Sequence, residues 1–180
     1  MFGEPQPVDT DLCRSRFLAN VKNGDSVEME KRITLGIDVN FCDKPGRDTP
    51  LHIAVRQSDF GAVQILLDAN ANVSALDAQN NTALHLSIMQ NNIDITELLL
   101  QTKVPLESCD CRGDTALVKA SRFASSHVHI PLLLKYNCRV DALNPHSGRT
   151  PLHFVIDQKC DPAVLLQLLV RWSSKIKPSH

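Results

Sequence analysis

Six residues, Thr49-Pro50-Leu51-His52-Ile53-Ala54, return three more times in edited form along this chain of 180 residues. The copies are Thr82-Ala83-Leu84-His85-Leu86-Ser87, Thr115-Ala116-Leu117-Val118-Lys119-Ala120 and Thr150-Pro151-Leu152-His153-Phe154-Val155, so threonine follows threonine at steps of 33, 33 and 35 residues. A near-constant period of that size means one supersecondary unit used again and again, each copy burying its apolar face only against its neighbours. Such a chain folds as a stack, without a single central core. Most other motifs in it then become scaffolding.

The composition agrees with thin stacked units: 43% of residues are hydrophobic but only 4% aromatic, so Leu, Ile, Val and Ala must do most of the filling. The net charge is −1 with both signs dispersed, which lacks the basic face of a nucleic-acid binder. The longest apolar runs, such as Val164 to Val170, are too short to span a bilayer. The start, Met1-Phe2-Gly3-Glu4-Pro5-Gln6-Pro7, has neither the positive region nor the apolar core of an export signal. A cytoplasmic and/or nuclear protein with reduced thiols is expected, although the chain holds six cysteines. Four of these, Cys13, Cys42, Cys138 and Cys160, fall at different places in the period and read as small buried or half-buried residues. Cys109 and Cys111 flank Asp110, and strand alternation would put both on one face. A zinc site wants a second closely paired set of ligands, and the sequence offers none.

The second copy reads most cleanly. Pro50 follows Thr49 at a helix start, where its fixed φ helps and its missing N–H costs nothing. Leu51, Ala54 and Val55 form one helical face; Gln57-Ser58-Asp59 breaks it; Ala62, Ile65, Leu66 and Ala69 begin a second helix. Asn70 suits a left-handed helix end, and the stretch from Ala71 to Asn80 makes an extended run and a turn. The unit is helix, tight loop, helix and outward hairpin. The pattern resembles the ankyrin repeat family, whose Thr-Pro-Leu-His-x-Ala motif stands literally at Thr49 to Ala54. The resemblance implies an all-α solenoid of helix-turn-helix-hairpin repeats in one curved array, with His52, His85 and His153 hydrogen-bonded within the first turn and to the adjoining hairpin. It also implies helix-ending glycines, found here as Gly36, Asn70, Lys103 and Asn137, of which Lys103 is the departure.

Five repeats are expected after a short tail at 1–10: approximately 11–46, 47–79, 80–112, 113–147 and 148–180. The first is degenerate, and its run Glu28-Met29-Glu30-Lys31-Arg32 suits a solvated cap. The hairpins at 44–47 and 145–148 each carry one extra residue. In the fourth repeat Val118 replaces the histidine, residues 125–129 lengthen the inter-helix loop with His127 and His129 in it, and Pro131 follows in the first turns of the second helix. The last helix, from Val164 to Trp172, is apolar nearly all round, so residues 173–180 fold back on it, a partner docks there, or further repeats continue the array.

No Gly-rich phosphate loop, Gly-x-Ser-x-Gly elbow or His-Glu-x-x-His occurs, so no catalytic, cofactor-binding or metal-ligating set is expected, and no enzymatic activity. What the resemblance implies is a scaffold that binds a partner protein, with neither nucleic acid nor membrane as its target, on the concave surface made by hairpin tips and first-helix inner faces. The late first-helix candidates are Lys22 and Asn23, Arg56 and Gln57, Met89 and Gln90, Arg122 and Phe123, and Asp157 and Gln158. At the hairpin tips they are Lys44, Arg47, Leu76, Gln79, Asn81, Arg112, Asp114, His146 and Arg149. Leu76 and Leu143 either anchor a partner or pack on the next hairpin. Three roles stay open: a regulator or inhibitor that sequesters its partner, a substrate-recruiting adaptor of a ubiquitin ligase, or a structural piece of a longer array. For the adaptor, the tail from Ser173 to His180 is too short to hold a ligase-binding box. For the inhibitor, Met1 to Asp11 shows no phospho-degron.

Overall fold

A computed structural model of the chain describes residues 10–43, 46–123, 126–158 and 161–176. Within them run ten helices: α1 (Thr10–Asn23), α2 (Ser26–Thr34), α3 (Pro50–Arg56), α4 (Phe60–Asp68), α5 (Ala83–Met89), α6 (Ile93–Leu100), α7 (Ala116–Arg122), α8 (Ser126–Lys135), α9 (Pro151–Asp157) and α10 (Pro162–Ile176). They pair in chain order, and each pair stacks on the next: α1, α3, α5, α7 and α9 form an inner layer, and α2, α4, α6, α8 and α10 an outer one. This is an all-α solenoid. No described helix is long and apolar enough to cross a membrane.

Local sequence explains the regularity. The inner helices α3, α5 and α7 start on Thr49, Thr82 and Thr115, whose hydroxyls accept from the backbone N–H three residues on. Asp25, Asp59 and Asn92 cap the outer helices α2, α4 and α6 in the same way. Ser58 and Asn91 carry the chain between helices at φ of 57° and 54°. Gly36, Asn70 and Asn137 end outer helices in the left-handed region at φ of 86°, 59° and 62°. Lys103 avoids that conformation, and α6 closes instead with Gln101 N–H on the Glu97 carbonyl and Thr102 N–H on that of Leu99.

One continuous core runs along the stack. Leu51, Leu84 and Leu117 recur in it at 2%, 0% and 1% exposure, joined from the outer helices by Leu66, Leu99 and Leu133. His85 lies in the same layer, fully buried. Its Nδ1 accepts from Thr82 N–H at 3.2 Å, which leaves the proton on Nε2 to be donated to the Asp114 carbonyl of the next hairpin at 3.1 Å. Burial first, then the nearby Lys119 ammonium, lowers its pKa from 6.5 to about 4; burial lowers that of His52 also.

Neutral His85 therefore supports the fold fully above pH 6.5, and that support drains away as pH falls towards about 4, by roughly 3 kcal/mol in all. His85→Ala is expected to cost about 1–3 kcal/mol at neutral pH. It should also flatten the acid limb of a urea-stability profile between pH 6.5 and 4. A profile of unchanged slope would show that the imidazole is not held neutral.

Two expectations need correction. No strand occurs among the described residues. The hairpins are turns, closed by bonds such as those from Asp77 N–H to the Asn81 carbonyl (3.0 Å) and from Asp110 N–H to that of Asp114 (3.0 Å). Neighbouring hairpins are joined by Ala78 N–H to the Gly46 carbonyl (3.2 Å) and Cys111 N–H to that of Gln79 (2.9 Å). The second concerns residues 126–129, which form the start of α8 where a longer loop was expected, with Pro131 inside the helix and His129 fully buried. Apolar Val128, Ile130, Leu132 and Leu133 extend the helical pattern back into the segment.

Candidate functional site: the inner face of hairpins and first helices

The four positions seven residues after each motif threonine, Arg56, Met89, Arg122 and Asp157, come out in register along the inner layer, as do Gln57, Gln90, Phe123 and Gln158 after them. Gln57, Gln90, Asp157 and Gln158 are exposed, and Met89 and Phe123 are 42% and 39% exposed. Lys22 is exposed at the end of α1, where its carbonyl accepts from Gln57 Nε2 at 2.7 Å. Arg47, Gln79, Arg112, His146 and Arg149 are exposed on the hairpins, and Leu76 is half-buried. Leu143 is 61% exposed. Lys44 lies outside the described residues.

Asn81 and Asp114, expected at exposed tips, are instead buried, at 5% and 2% exposure. The cause is a row of carboxylates beneath the hairpins that need donors. Asp77 is fully buried and accepts from Gln79 N–H, Asn81 N–H and Arg56 Nη2, the last at 2.6 Å. Arg56 also reaches Asp48 at 3.5 Å. One repeat on, the corresponding carboxylate is Asp110, but the first-helix residue that would meet it is Met89, which carries no charge. Lys119 of α7 supplies the cation: its Nζ lies 2.7 Å from Asp110, 2.8 Å from Asn81 Oδ1 and 3.4 Å from Met89 Sδ. In the fourth repeat the equivalent residue is neutral Asn144, so Arg122 turns back to Asp114 at 2.8 Å. Asn144 Nδ2 takes the other Asp114 oxygen at 2.6 Å. Arg149 pairs with Asp157 at 2.6 Å.

Each cation thus follows the carboxylate that most needs it. Arg56, Arg122 and Arg149 serve the array as well as its surface. Asp77 and Asp114 lie deep while the Arg56 and Arg122 guanidinium groups that meet them stay about one-third exposed, and the Arg149–Asp157 pair is open to solvent on both sides. Lys119 is the residue the sequence reading missed. Its equivalents are Ile53, Leu86 and Phe154, and a lysine in an otherwise apolar column was the available signal.

Cys109 and Cys111 are exposed, and Cys138 is buried. Burial pushes the Cys138 thiol up to about 12 and also raises that of Cys109, where Asp110 adds to the effect. Thiols so shifted resist becoming the thiolates that a metal would need. Among the described residues no three His, Cys, Asp or Glu side chains gather into a metal-holding group.

The family described as ankyrin repeats (3 copies) matches residues 17–107, half of the chain. The chain belongs to the ankyrin repeat family. Ankyrin repeats generally mediate protein–protein interaction and are typically non-catalytic. A curated relative, YahD of Escherichia coli (strain K12), is named as an ankyrin repeat protein and is 31% identical over 61 residues, which are 34% of this chain and 30% of that protein. The ankyrin chain thus spans under a third of that relative's length.

Apolar side chains of the last two helices reach solvent among the described residues. Leu166, Leu169 and Val170 of α10 are 60%, 42% and 66% exposed, and Ile156 of α9 is 57% exposed. Of the segment 173–180 expected to fold back, residues 173–176 continue the helix and residues 177–180 lie outside the described residues, while Trp172 packs against the core. His153 keeps the 2.8 Å contact of its Nδ1 with the Thr150 hydroxyl, yet its ring is exposed where that of His85 meets a following hairpin.

Proposed function

We propose that this ankyrin repeat protein is a non-catalytic binding scaffold, acting in the cytoplasm or nucleus as a regulator or inhibitor of a partner protein held on its inner face. The observation that carries the reading is the row of Met89, Arg122 and Phe123 with Arg112 beside it, which combines desolvatable side chains with one guanidinium group fixed from below by Asp114 and one left free among the described residues. Interface centres favour this mixture, and anchored groups lose little freedom on binding. Affinity capture from cell extract with the whole chain, followed by mass spectrometry, tests it. Proteins captured by the wild type should be lost with Met89→Asp and kept with Glu97→Lys on the outer layer. Equal capture by both variants would refute the reading.

A second reading has its own support. The exposed His153 ring and the apolar surface of α9 and α10 are what a further repeat would cover, which favours this array being one part of a longer stack. The ubiquitin-ligase adaptor reading has no comparable observation behind it.

A further inference from the structure

Between the fourth and fifth repeats the inner face opens into a cleft of about 650 Å³, lined chiefly by Arg112, Arg122, Asn144, His146, Arg149 and Phe154. No carboxylate is among its lining residues. Phe154 is 7% exposed, and two guanidinium groups lie against its ring, that of Arg122 at 5.0 Å and that of Arg149 at 5.5 Å from the centroid. Beneath them both oxygens of Asp114 are already taken, by Arg122 and by Asn144. Asp157 faces Arg149 from α9. Arg112 is exposed, and among the described residues its guanidinium has no ion-pair partner. Negative charge is therefore buried or paired, and one whole cation is left over at the mouth of the cleft.

On the reading that the inner face binds a protein, we infer that the cleft between the fourth and fifth repeats takes an extended acidic segment of that partner, with Arg112 as the cation its Asp or Glu side chains meet first. Arg122 and Arg149 are already fixed against Phe154, so their remaining N–H donors point at a defined place and lose little freedom on binding. The chain carries no general excess of positive charge to extend the site along a phosphate backbone. A short acidic peptide fits both the size and the charge.

The test pans phage-displayed random peptides of about 16 residues against the whole chain, then measures synthesised hits and a labelled single-stranded DNA oligonucleotide by fluorescence anisotropy. Enriched peptides should be rich in Asp and Glu, weaken steeply with added salt, lose about tenfold in affinity to Arg112→Glu and keep most of it with Arg112→Lys. Arg112 is exposed and unpaired, so the thermal midpoint of R112E should match wild type, which separates lost binding from lost folding. Neutral or basic hits, no hits, acidic hits indifferent to R112E, or an oligonucleotide bound as tightly as the best peptide would each overturn the inference. Hits that are not acidic yet are lost with Met89→Asp would overturn it alone. Hits indifferent to both R112E and M89D would take the inner-face reading with it.

Discussion

Asp110→Asn should cost the fold about 3–5 kcal/mol, an unusually large loss for a change that removes one charge and almost no volume. The ion pair of Asp110 with Lys119 has side chains only 2% and 7% exposed, at 2.7 Å. Burial raises the Asp110 pKa, but the hydrogen bond from Lys119 and the backbone N–H groups of Asp114 and Arg112 outweigh it and hold the group below the usual carboxylate range. With Asn in place the backbone bonds survive, while the ammonium keeps only Asn81 Oδ1 and the Met89 sulfur. An uncompensated buried charge is far costlier than a missing neutral bond. The double change Asp110→Asn with Lys119→Met should recover most of the loss, because it neutralises both partners together. The junction of the fourth and fifth repeats already uses that solution, with Asn144 and Phe154 at the two positions. Urea unfolding of the wild type, both single variants and the double variant decides it. A silent D110N, or a double variant no more stable than it, would show that the pair is not the buried charge it looks to be.

How much of this was legible in the sequence follows from how local each feature is. The Thr-Pro-Leu-His motif fixes helix starts because a hydroxyl, a ring nitrogen and two backbone N–H groups meet within one turn, and Gly36, Asn70 and Asn137 mark helix ends for the same short-range reason. The α8 start was misread because a run of Ser and His looks like loop, while the apolar face that makes it helical comes from the residues beyond. The hairpins carry turn chemistry, and pairing between neighbouring tips is too sparse to form strands.

The inner face was only half legible. The period put Arg56, Met89, Arg122 and Asp157 on one line, and the structure keeps them there. What the period could not give was who neutralises whom, since a side chain on one helix can reach its own hairpin or the next. Met89 at a position held by arginine in its neighbours leaves Asp110 short of a cation, and only Lys119, four residues past a threonine 33 positions on, is near enough to help. Asn81 and Asp114 were placed outside for the same reason: hairpin residues read as exposed until the carboxylates beneath them are seen.

The central claim is that the protein works through this inner face, and titration calorimetry of a captured partner against a panel of variants tests it most directly. Phe123→Ala and Arg112→Ala are the clean probes and Met89→Ala removes only a sulfur contact from Lys119, whereas Arg56→Ala and Arg122→Ala would strip a cation from buried Asp77 or Asp114. At least one of the three should lose more than about 2 kcal/mol of binding, with the thermal midpoint unchanged, because a few central residues carry most of an interface. Gln64→Ala and Glu97→Ala on the outer layer should change binding by less than about 0.5 kcal/mol. Binding that survives all three inner-face changes, and is lost only when Leu166, Leu169 or Val170 is altered, would contradict the account and move the working surface to the last helix.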